Sequence, residues 1–272
     1  ALTDRLEEHM GSPIAPVASR VAGVEVGVVL GWMSTRVLGQ YDLLVIEDED
    51  PDDQDIVHYV GPNILALEKK FAFPPREFRQ WIALHEVTHR MQFTGIPWMR
   101  EHFLGLVDGM VSAVDDDPKA LVAAVARAAE EVRGGRNPLD EGGVAALFST
   151  DAQRELLERL GGLMSLLEGH GDVTMDRAGA DQIPNSVRFG QVLRQRRQNA
   201  SPLIKVVQKL IGLEAKLKQY EQGERFIEAV EAAGGPAQLD RAWEDPVNLP
   251  TMSEIRDPDA WLARVGVAEP AA

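Results

Sequence analysis

The residues His85-Glu86-Val87-Thr88-His89 form an HExxH pattern, which is typical of zinc hydrolases. If this segment is helical, His85 and His89 lie one turn apart on one face, so both imidazoles can bind the same metal ion. Glu86 is rotated by about 100° from His85, beside the ion rather than toward it. From there its carboxylate can take a proton from a water bound to the metal. The pattern therefore predicts a Zn²⁺ site with Glu86 as the catalytic base.

A third metal ligand must come from another segment, because a catalytic zinc site uses three protein ligands and keeps one position open for water. The chain contains no cysteine. We favour Glu168, which follows an apolar run of leucines where a charge is costly unless it is paired or bound to a metal. Asp172 lies one turn further on the same face, where it can accept the outer N–H of a ligating histidine. His170 is the alternative third ligand.

Two points remain open at this level. A donor to the oxyanion formed during hydrolysis is expected, and His170, Tyr220 and Arg188 are the candidates. A different class of protein is also compatible with the motif: a non-catalytic helical binding or scaffolding protein with a retained or empty metal site. Structural zinc sites usually close with four protein ligands, so His170 joining Glu168 on the ion would favour this alternative. Glu86 favours the enzyme, because a purely structural site does not need it.

The elements that must position these residues are mostly helices. The HExxH motif lies in a predicted amphipathic helix over 74–93, which begins at Pro74-Pro75 and stops at Thr94-Gly95. Hydrophobic spacing and capping residues predict further helices over 118–132, from about 151, and over 186–198, 202–220, 224–233 and 258–265. Short β-prone runs cover 41–46 and 56–60. The predicted fold class is mainly α with a small β element.

The length of 272 residues predicts a single domain over 1–272. The sub-region 20–110 carries the HExxH helix, and the sub-region 150–235 carries the third-ligand candidates. The segment GGRNPLDEGG, residues 134–143, is the best candidate for a linker between them, because it is rich in glycine and polar residues.

Composition and charge restrict the partners. The 43 acidic and 28 basic residues give a net charge of −15, which argues against nucleic acid or an anionic membrane as the main partner. The absence of cysteine excludes disulfides, thiolate metal sites and thiol nucleophiles. The apolar stretch over 21–38 is interrupted by Glu25 and Arg36 and is too short to span a bilayer. The first ten residues do not have the pattern of a secretory signal, so we expect a cytoplasmic protein.

The sequence also resembles a known family. HEVTH followed by RMQFTGIPWMR, together with LMSLLEGHGDVTMD, is similar to the zincin-like type 2 family of bacterial proteins, which are classed as hydrolases. Some members are labelled as associated with deazaflavin-coenzyme biosynthesis. The resemblance implies a zincin-like helical domain, a Zn²⁺ cofactor, HExxH on the active helix, and Glu168 with Asp172 on a downstream helix. The expected activity is hydrolysis of an amide or related carbonyl in a peptide or small-molecule substrate.

Overall fold

The computed structural model describes residues 27, 30, 31, 34–43, 56–112, 151–180, 182–198 and 213–266. This part of the chain is mainly helical and contains one two-stranded antiparallel sheet, which confirms the predicted fold class. The helix predicted over 118–132 and the linker predicted over 134–143 lie outside the described residues. The prediction of a single domain therefore stays a prediction.

The two strands are short and precede the long helices. Strand β1 spans Gly39–Tyr41 and strand β2 spans Val57–Tyr59, with Gly39 opposite Tyr59 and Tyr41 opposite Val57. The described helices are α1 (Gly61–Phe71), α2 (Pro75–Gly95), α3 (Met99–Ser112), α4 (Asp151–Gly179), α5 (Ser186–Gln198), α6 (Leu213–Gly234), α7 (Pro236–Glu244), α8 (Met252–Arg256) and α9 (Pro258–Val265). None of these helices has the length and apolarity to cross a membrane.

Helix α2 carries the HExxH motif on a buried stripe. It begins with a proline in its first turn and ends at Gly95, within two residues of the prediction. Phe78, Trp81 and Ile82 are buried at the spacing of one helix face. His85 and His89 continue the same stripe, so the packing that buries the aromatic residues also turns the imidazoles toward the protein interior.

Helix α4 is 29 residues long and packs against α2 and α6. Its fully buried leucines, Leu163 and Leu166, belong to a core shared with α6 and the C-terminal helices, and its Met175 belongs to a second core shared with α1, α2 and α5. Glu168 lies between these two positions along the helix. The third-ligand candidate is therefore held by packing on both sides, N-terminally by one core and C-terminally by the other.

Several predicted boundaries differ from the observed ones. The helices predicted over 202–220 and 224–233 are joined in the structure, because α6 continues through Gly223 to Gly234, while residues 201–212 lie outside the described part. Gly223 is a point of close helix contact rather than a break. Helix α4 likewise continues through Gly169 and Gly171 to Gly179. Strand β1 begins at Gly39, earlier than the predicted 41–46, of which 44–46 lie outside the described residues.

The C-terminal helices follow their sequence signals. Thr251 and Glu254 form the predicted capping box, with each side chain bonded to the other residue's backbone N–H. Helix α9 then covers 258–265 as predicted. Trp261 in this helix is fully buried and donates its indole N–H to the carbonyl oxygen of Asn248 at 2.7 Å. These contacts anchor the C-terminal end of the chain on the core formed by α4 and α6.

Candidate metal centre

Three metal-ligand side chains converge where α2 packs on α4. One ligand atom from each of His85, His89 and Glu168 lies within 4.8 Å of the other two, and all three residues are half-buried. The two histidines come from consecutive turns of α2, and the carboxylate comes from the facing side of α4. The structure thus brings together the three residues that the sequence proposed as ligands.

The separations between these donor atoms fit a single small cation. Nε2 of His85 and Nε2 of His89 are 3.1 Å apart. Oε2 of Glu168 lies 3.7 Å from the first nitrogen and 3.4 Å from the second. Ligands bonded to one tetrahedral zinc ion at about 2.0–2.2 Å are separated by about 3.3–3.6 Å from each other. Two imidazoles and one carboxylate are also the donor types of catalytic zinc sites.

The charge on Glu168 strongly affects His89. Burial alone would lower the pKa of His89, but the hydrogen bond and the negative charge of Glu168 outweigh it and raise the pKa to about 9. In the metal-free chain His89 is therefore a cation paired with Glu168 at neutral pH. A divalent cation bound at the same place would compete with that proton for the imidazole nitrogen.

Glu86 lies beside this cluster in an enclosed position. Only 6% of its surface is exposed, and burial raises its pKa to about 7, with the charge of Glu168 adding to the rise and that of His89 opposing it. A Cβ atom at Gly39 of strand β1 would lie only 2.8 Å from the carboxyl carbon and Oε1 of Glu86. The absence of a side chain at Gly39 is therefore what leaves room for the carboxyl group.

Tyr59 lies opposite Gly39 in the sheet. Burial raises the pKa of Tyr59, and the charge of Glu86 raises it further. Residues directly opposite in an antiparallel pair project on the same side of the sheet. The side chain of Tyr59 therefore projects from β2 on the side of the sheet that faces Glu86.

The ring of His89 is oriented by a residue that the motif did not identify. Nδ1 of His89 donates a hydrogen bond to Oε1 of Gln92 at 2.9 Å, so Nε2 is the nitrogen that faces His85 and Glu168 and would bind a metal ion. Gln92 is itself fixed, because its amide nitrogen donates to the carbonyl oxygen of Leu167 and to Nδ1 of His170, both at 3.0 Å. Both groups of this amide are thus bonded, so its orientation is determined.

His170 takes part in this network and is not in the group of converging ligands. Its Nδ1 accepts the hydrogen bond from Gln92, its Nε2 lies 3.5 Å from the hydroxyl of Thr174, and its ring packs edge-on against Trp243. Burial and the charge of His89 lower the pKa of His170, so the ring is neutral. The sequence placed His170 and Glu168 on different faces of α4, and in the structure they contact different parts of α2.

The ring of His85 has a different environment. Its Nδ1 lies 3.6 Å from Oδ1 of Asp172, a carboxylate that is 7% exposed. Asp172 therefore lies at the outer nitrogen of a ligand histidine, where the sequence placed it. Both imidazoles also pack over Gly171, since a Cβ at this position would lie 3.3 Å from Cε1 of His89 and 3.4 Å from Cε1 of His85.

The other two candidates for the oxyanion donor have no described contact with this centre. Arg188 donates to the carbonyl oxygen of Phe71 and lies over the ring of Phe73, which ties α5 to the end of α1. Tyr220 lies in α6, and its side chain is outside the described part of the structure.

The sequence and the fold both match known proteins. A family model described as zincin-like metallopeptidase matches residues 2–262. The chain belongs to this family. A solved structure from Chloroflexus aurantiacus, described as a putative hydrolase with a novel fold, is similar with a TM-score of 0.63 and 33% sequence identity over 96% of this chain and 72% of that one. The comparison with curated proteins gave no match.

As a member of the zincin-like metallopeptidase family, the chain is expected to use a metal cofactor, and the donor set of His85, His89 and Glu168 fits one. The sequence pointed to these three converging side chains but did not single out two residues that contact them or Glu86. Gln92 follows His89 by three residues and is 4% exposed, so a polar residue on the buried stripe was the available signal. Gly39 gave no signal, because its role depends on a strand packing against α2.

Proposed function

We propose that this zincin-like metallopeptidase is a zinc-dependent hydrolase that cleaves an amide or related carbonyl in a peptide or small molecule. The observation that carries the proposal is the convergence of His85, His89 and Glu168 beside the buried carboxyl group of Glu86. Zinc held by these three ligands would acidify a water molecule and polarise a substrate carbonyl.

The catalytic base in this proposal is Glu86. A general base works best when its pKa is near the working pH, and burial raises that of Glu86 to about 7 in the metal-free chain. Because a cation at the neighbouring ligands would favour the ionised carboxylate, Glu86 can accept a proton at neutral pH. Gly39 leaves space for the carboxyl group of Glu86, and the backbone of β1 covers one side of that group.

The position of His170 supports the catalytic alternative over the non-catalytic one. A structural site was expected to use His170 as a further ligand with Glu168. In the described structure Nδ1 of His170 is bonded to Gln92 instead. Zinc held by these three side chains alone would keep a position for water or substrate.

The first prediction concerns the Glu86→Gln variant, which keeps the size of the side chain but removes the base. Zinc-loaded wild type and variant are incubated with a peptide library, and new chain ends are detected by mass spectrometry. We expect the variant to bind one zinc ion per chain like the wild type and to cleave at least about a hundredfold more slowly.

Glu101→Gln, a change at an exposed glutamate of α3, is the matched control and should cleave normally. Equal cleavage by the Glu86→Gln variant would contradict the mechanism, and zinc-loaded wild type that cleaves nothing would count against a peptide substrate.

A further inference from the structure

The two helices that carry the metal-ligand candidates are joined by the side chain of Gln92. This residue lies in α2, three positions after His89, and is 4% exposed. Its Oε1 accepts a hydrogen bond from Nδ1 of His89 at 2.9 Å. Its Nε2 donates to the carbonyl oxygen of Leu167 in α4 at 3.0 Å. Because Leu167 directly precedes Glu168, one amide group contacts a ligand candidate on α2 and the backbone beside a ligand candidate on α4.

The bond from Gln92 to α4 lies where the position of α4 matters most for metal binding. His85 lies against Asp172. His89, one turn later in α2, lies against Glu168, one turn earlier in α4. The two helices therefore run in opposite directions at the centre, and Gln92 meets α4 one residue before Glu168. A shift of α4 relative to α2 would break this bond and move the carboxylate away from the imidazoles.

The amide of Gln92 uses its oxygen and both of its N–H groups at this contact. The oxygen accepts from His89, and the two N–H groups bond to Leu167 and to Nδ1 of His170. Two of these three bonds end on α4. A buried amide donor without a partner is costly, so the bonds favour one separation of the helices. Close approach is possible because α4 places Gly171 against both imidazoles.

We propose that Gln92 is a positioning residue that holds α4 against α2, so that the carboxylate of Glu168 reaches a metal ion bound by the two imidazoles. The proposal rests on the proposed function, in which His85, His89 and Glu168 bind zinc. Orienting the ring of His89 needs only the oxygen of the amide, whereas holding α4 needs its N–H groups. Substitutions can therefore separate the two roles.

The test compares Gln92→Glu with Gln92→Met in the full chain. Ionised glutamate keeps an oxygen for His89 but has no N–H to donate to Leu167, whereas methionine keeps the approximate length and removes both. Zinc affinity is measured at neutral pH by competition with a chromophoric zinc chelator. We expect both variants to bind zinc about 10–100-fold more weakly than wild type. Gln80→Met, the same change at an exposed glutamine of α2, is the matched control and should bind like wild type.

The glutamate variant distinguishes the proposed role from the orientation of His89 alone. A carboxylate is a stronger hydrogen-bond acceptor than an amide oxygen. If Gln92 acted only on the ring of His89, the glutamate variant would therefore bind zinc as tightly as wild type or more tightly. That result would overturn the proposal, even if the methionine variant had lost affinity.

A double-mutant cycle separates the positioning of Glu168 from a general loss of stability. The Glu168→Ala variant keeps both imidazoles, so its weaker zinc binding is measured with a weaker chelator. If Gln92 acts by placing Glu168, adding Gln92→Glu to this variant should change zinc affinity by less than about twofold. The melting temperature of each metal-free variant is measured alongside. A loss that persists undiminished in the Glu168→Ala background would overturn the proposal.

The failure of this inference and that of the proposed function give different results. Wild type that binds zinc while Gln92→Glu binds it equally well would overturn the positioning role of Gln92 alone. Zinc-loaded wild type that cleaves no substrate would count against the hydrolase, whereas the measured zinc affinities would still support the role of Gln92. Wild type that takes up no zinc would overturn both.

Discussion

The two histidines proposed as metal ligands are supported by different chemistry, although they lie one turn apart on the same helix. Behind His89 is a neutral amide, Gln92, which forms hydrogen bonds of 2.9–3.0 Å with His89, Leu167 and His170. Behind His85 is a carboxylate, Asp172, whose Oδ1 lies 3.6 Å from Nδ1 of the ring. We call these the amide side and the carboxylate side of the centre.

The difference matters because an amide and a carboxylate fix a ring in different ways. An amide group donates and accepts at fixed atoms, so the amide side sets the tautomer of His89 without adding charge. A carboxylate only accepts and adds negative charge, so the carboxylate side increases the basicity of His85 as well as orienting it. The amide side is built from α2 and α4, whereas on the carboxylate side α4 also touches the backbone of α6 at Gly169, one turn before Asp172.

The largest predicted effect tests the dependence of the carboxylate side on the α4–α6 crossing. Gly223→Ala would place a methyl group 2.0 Å from the carbonyl oxygen of Ser165, so the helices must separate or the fold must be lost. We expect a loss of more than about 3 kcal/mol in the free energy of unfolding, measured by urea titration of the metal-free protein. Gly105→Ala in α3, where a Cβ meets no described atom within 4 Å, is the control and should be neutral or up to about 1 kcal/mol stabilising. Equal stability of the two variants would contradict the close crossing.

The second prediction concerns pH and the charge on His89. In the metal-free chain its pKa is raised to about 9 by Glu168, and zinc must displace that proton. Zinc affinity should therefore increase by up to about tenfold per pH unit between pH 6 and 9, when measured by chelator competition. In the metal-free protein the effect of pH is on stability and has the opposite direction, because the stability of the fold decreases as the pH rises. The pairing of protonated His89 stabilises the fold fully below its unfolded pKa of about 6.5 and is lost as the pH rises through about 9.

Glu86 changes the stability of the metal-free chain in the same direction as His89. Its pKa in the folded chain is about 7, above the ordinary value of 4.5, so ionising the buried carboxyl group destabilises the fold as the pH rises through this range. The melting temperature of the metal-free protein should therefore fall from pH 6 to pH 9, while that of the zinc-loaded protein should not. A metal-free melting temperature that rises with pH would contradict both assignments.

The third prediction exchanges the chemistry of the two sides. Asp172→Asn keeps an oxygen that can accept a hydrogen bond from His85. Zinc affinity should therefore fall by only about threefold to fivefold, less than the loss of about 10–100-fold expected when such a group is removed. Gln92→Glu removes the amide donors to Leu167 and His170, so zinc affinity should fall by about 10–100-fold. Both are measured by chelator competition, with circular dichroism as a check on folding. A larger loss in Asp172→Asn than in Gln92→Glu would reverse the assignment of the two sides.

The sequence predicted the fold class and the three converging side chains because those features are local or periodic. HExxH needs only one helix, and the buried stripe on α2 extends directly from Phe78 and Trp81 to the two histidines. Glu168 was recognisable because a carboxylate followed an apolar run. The prediction failed where a glycine serves close packing: separate helices were predicted over 202–220 and 224–233, whereas α6 is continuous there and Gly223 is its contact point with α4.

The supporting residues were missed for a related reason. Gln92 and Gly39 are defined by what lies across from them on another element. Sequence spacing shows which residues share a helix face, but it does not show which face of which partner they meet. Asp172 on the carboxylate side was predicted, because it shares a helix face with Glu168. Gln92 on the amide side was missed, although it lies only three residues from His89.

The smallest predicted effect separates the supporting role of His170 from that of a ligand. His170→Phe removes the acceptor for one N–H of Gln92 and leaves the bond from His89 to Gln92 in place. The loss of one neutral hydrogen bond is worth about 0.5–1.5 kcal/mol. We therefore expect zinc affinity to fall by no more than about tenfold, with a small drop in melting temperature. If His170 were a ligand, its loss would weaken zinc binding by at least about a hundredfold, since a direct ligand contributes more than the groups behind it.

The control is Thr174→Val, which alters the other side of the His170 ring, where the contact is 3.5 Å. A large loss in His170→Phe with none in Gln92→Glu would make His170 part of the metal-binding set and remove the amide side as the support of His89.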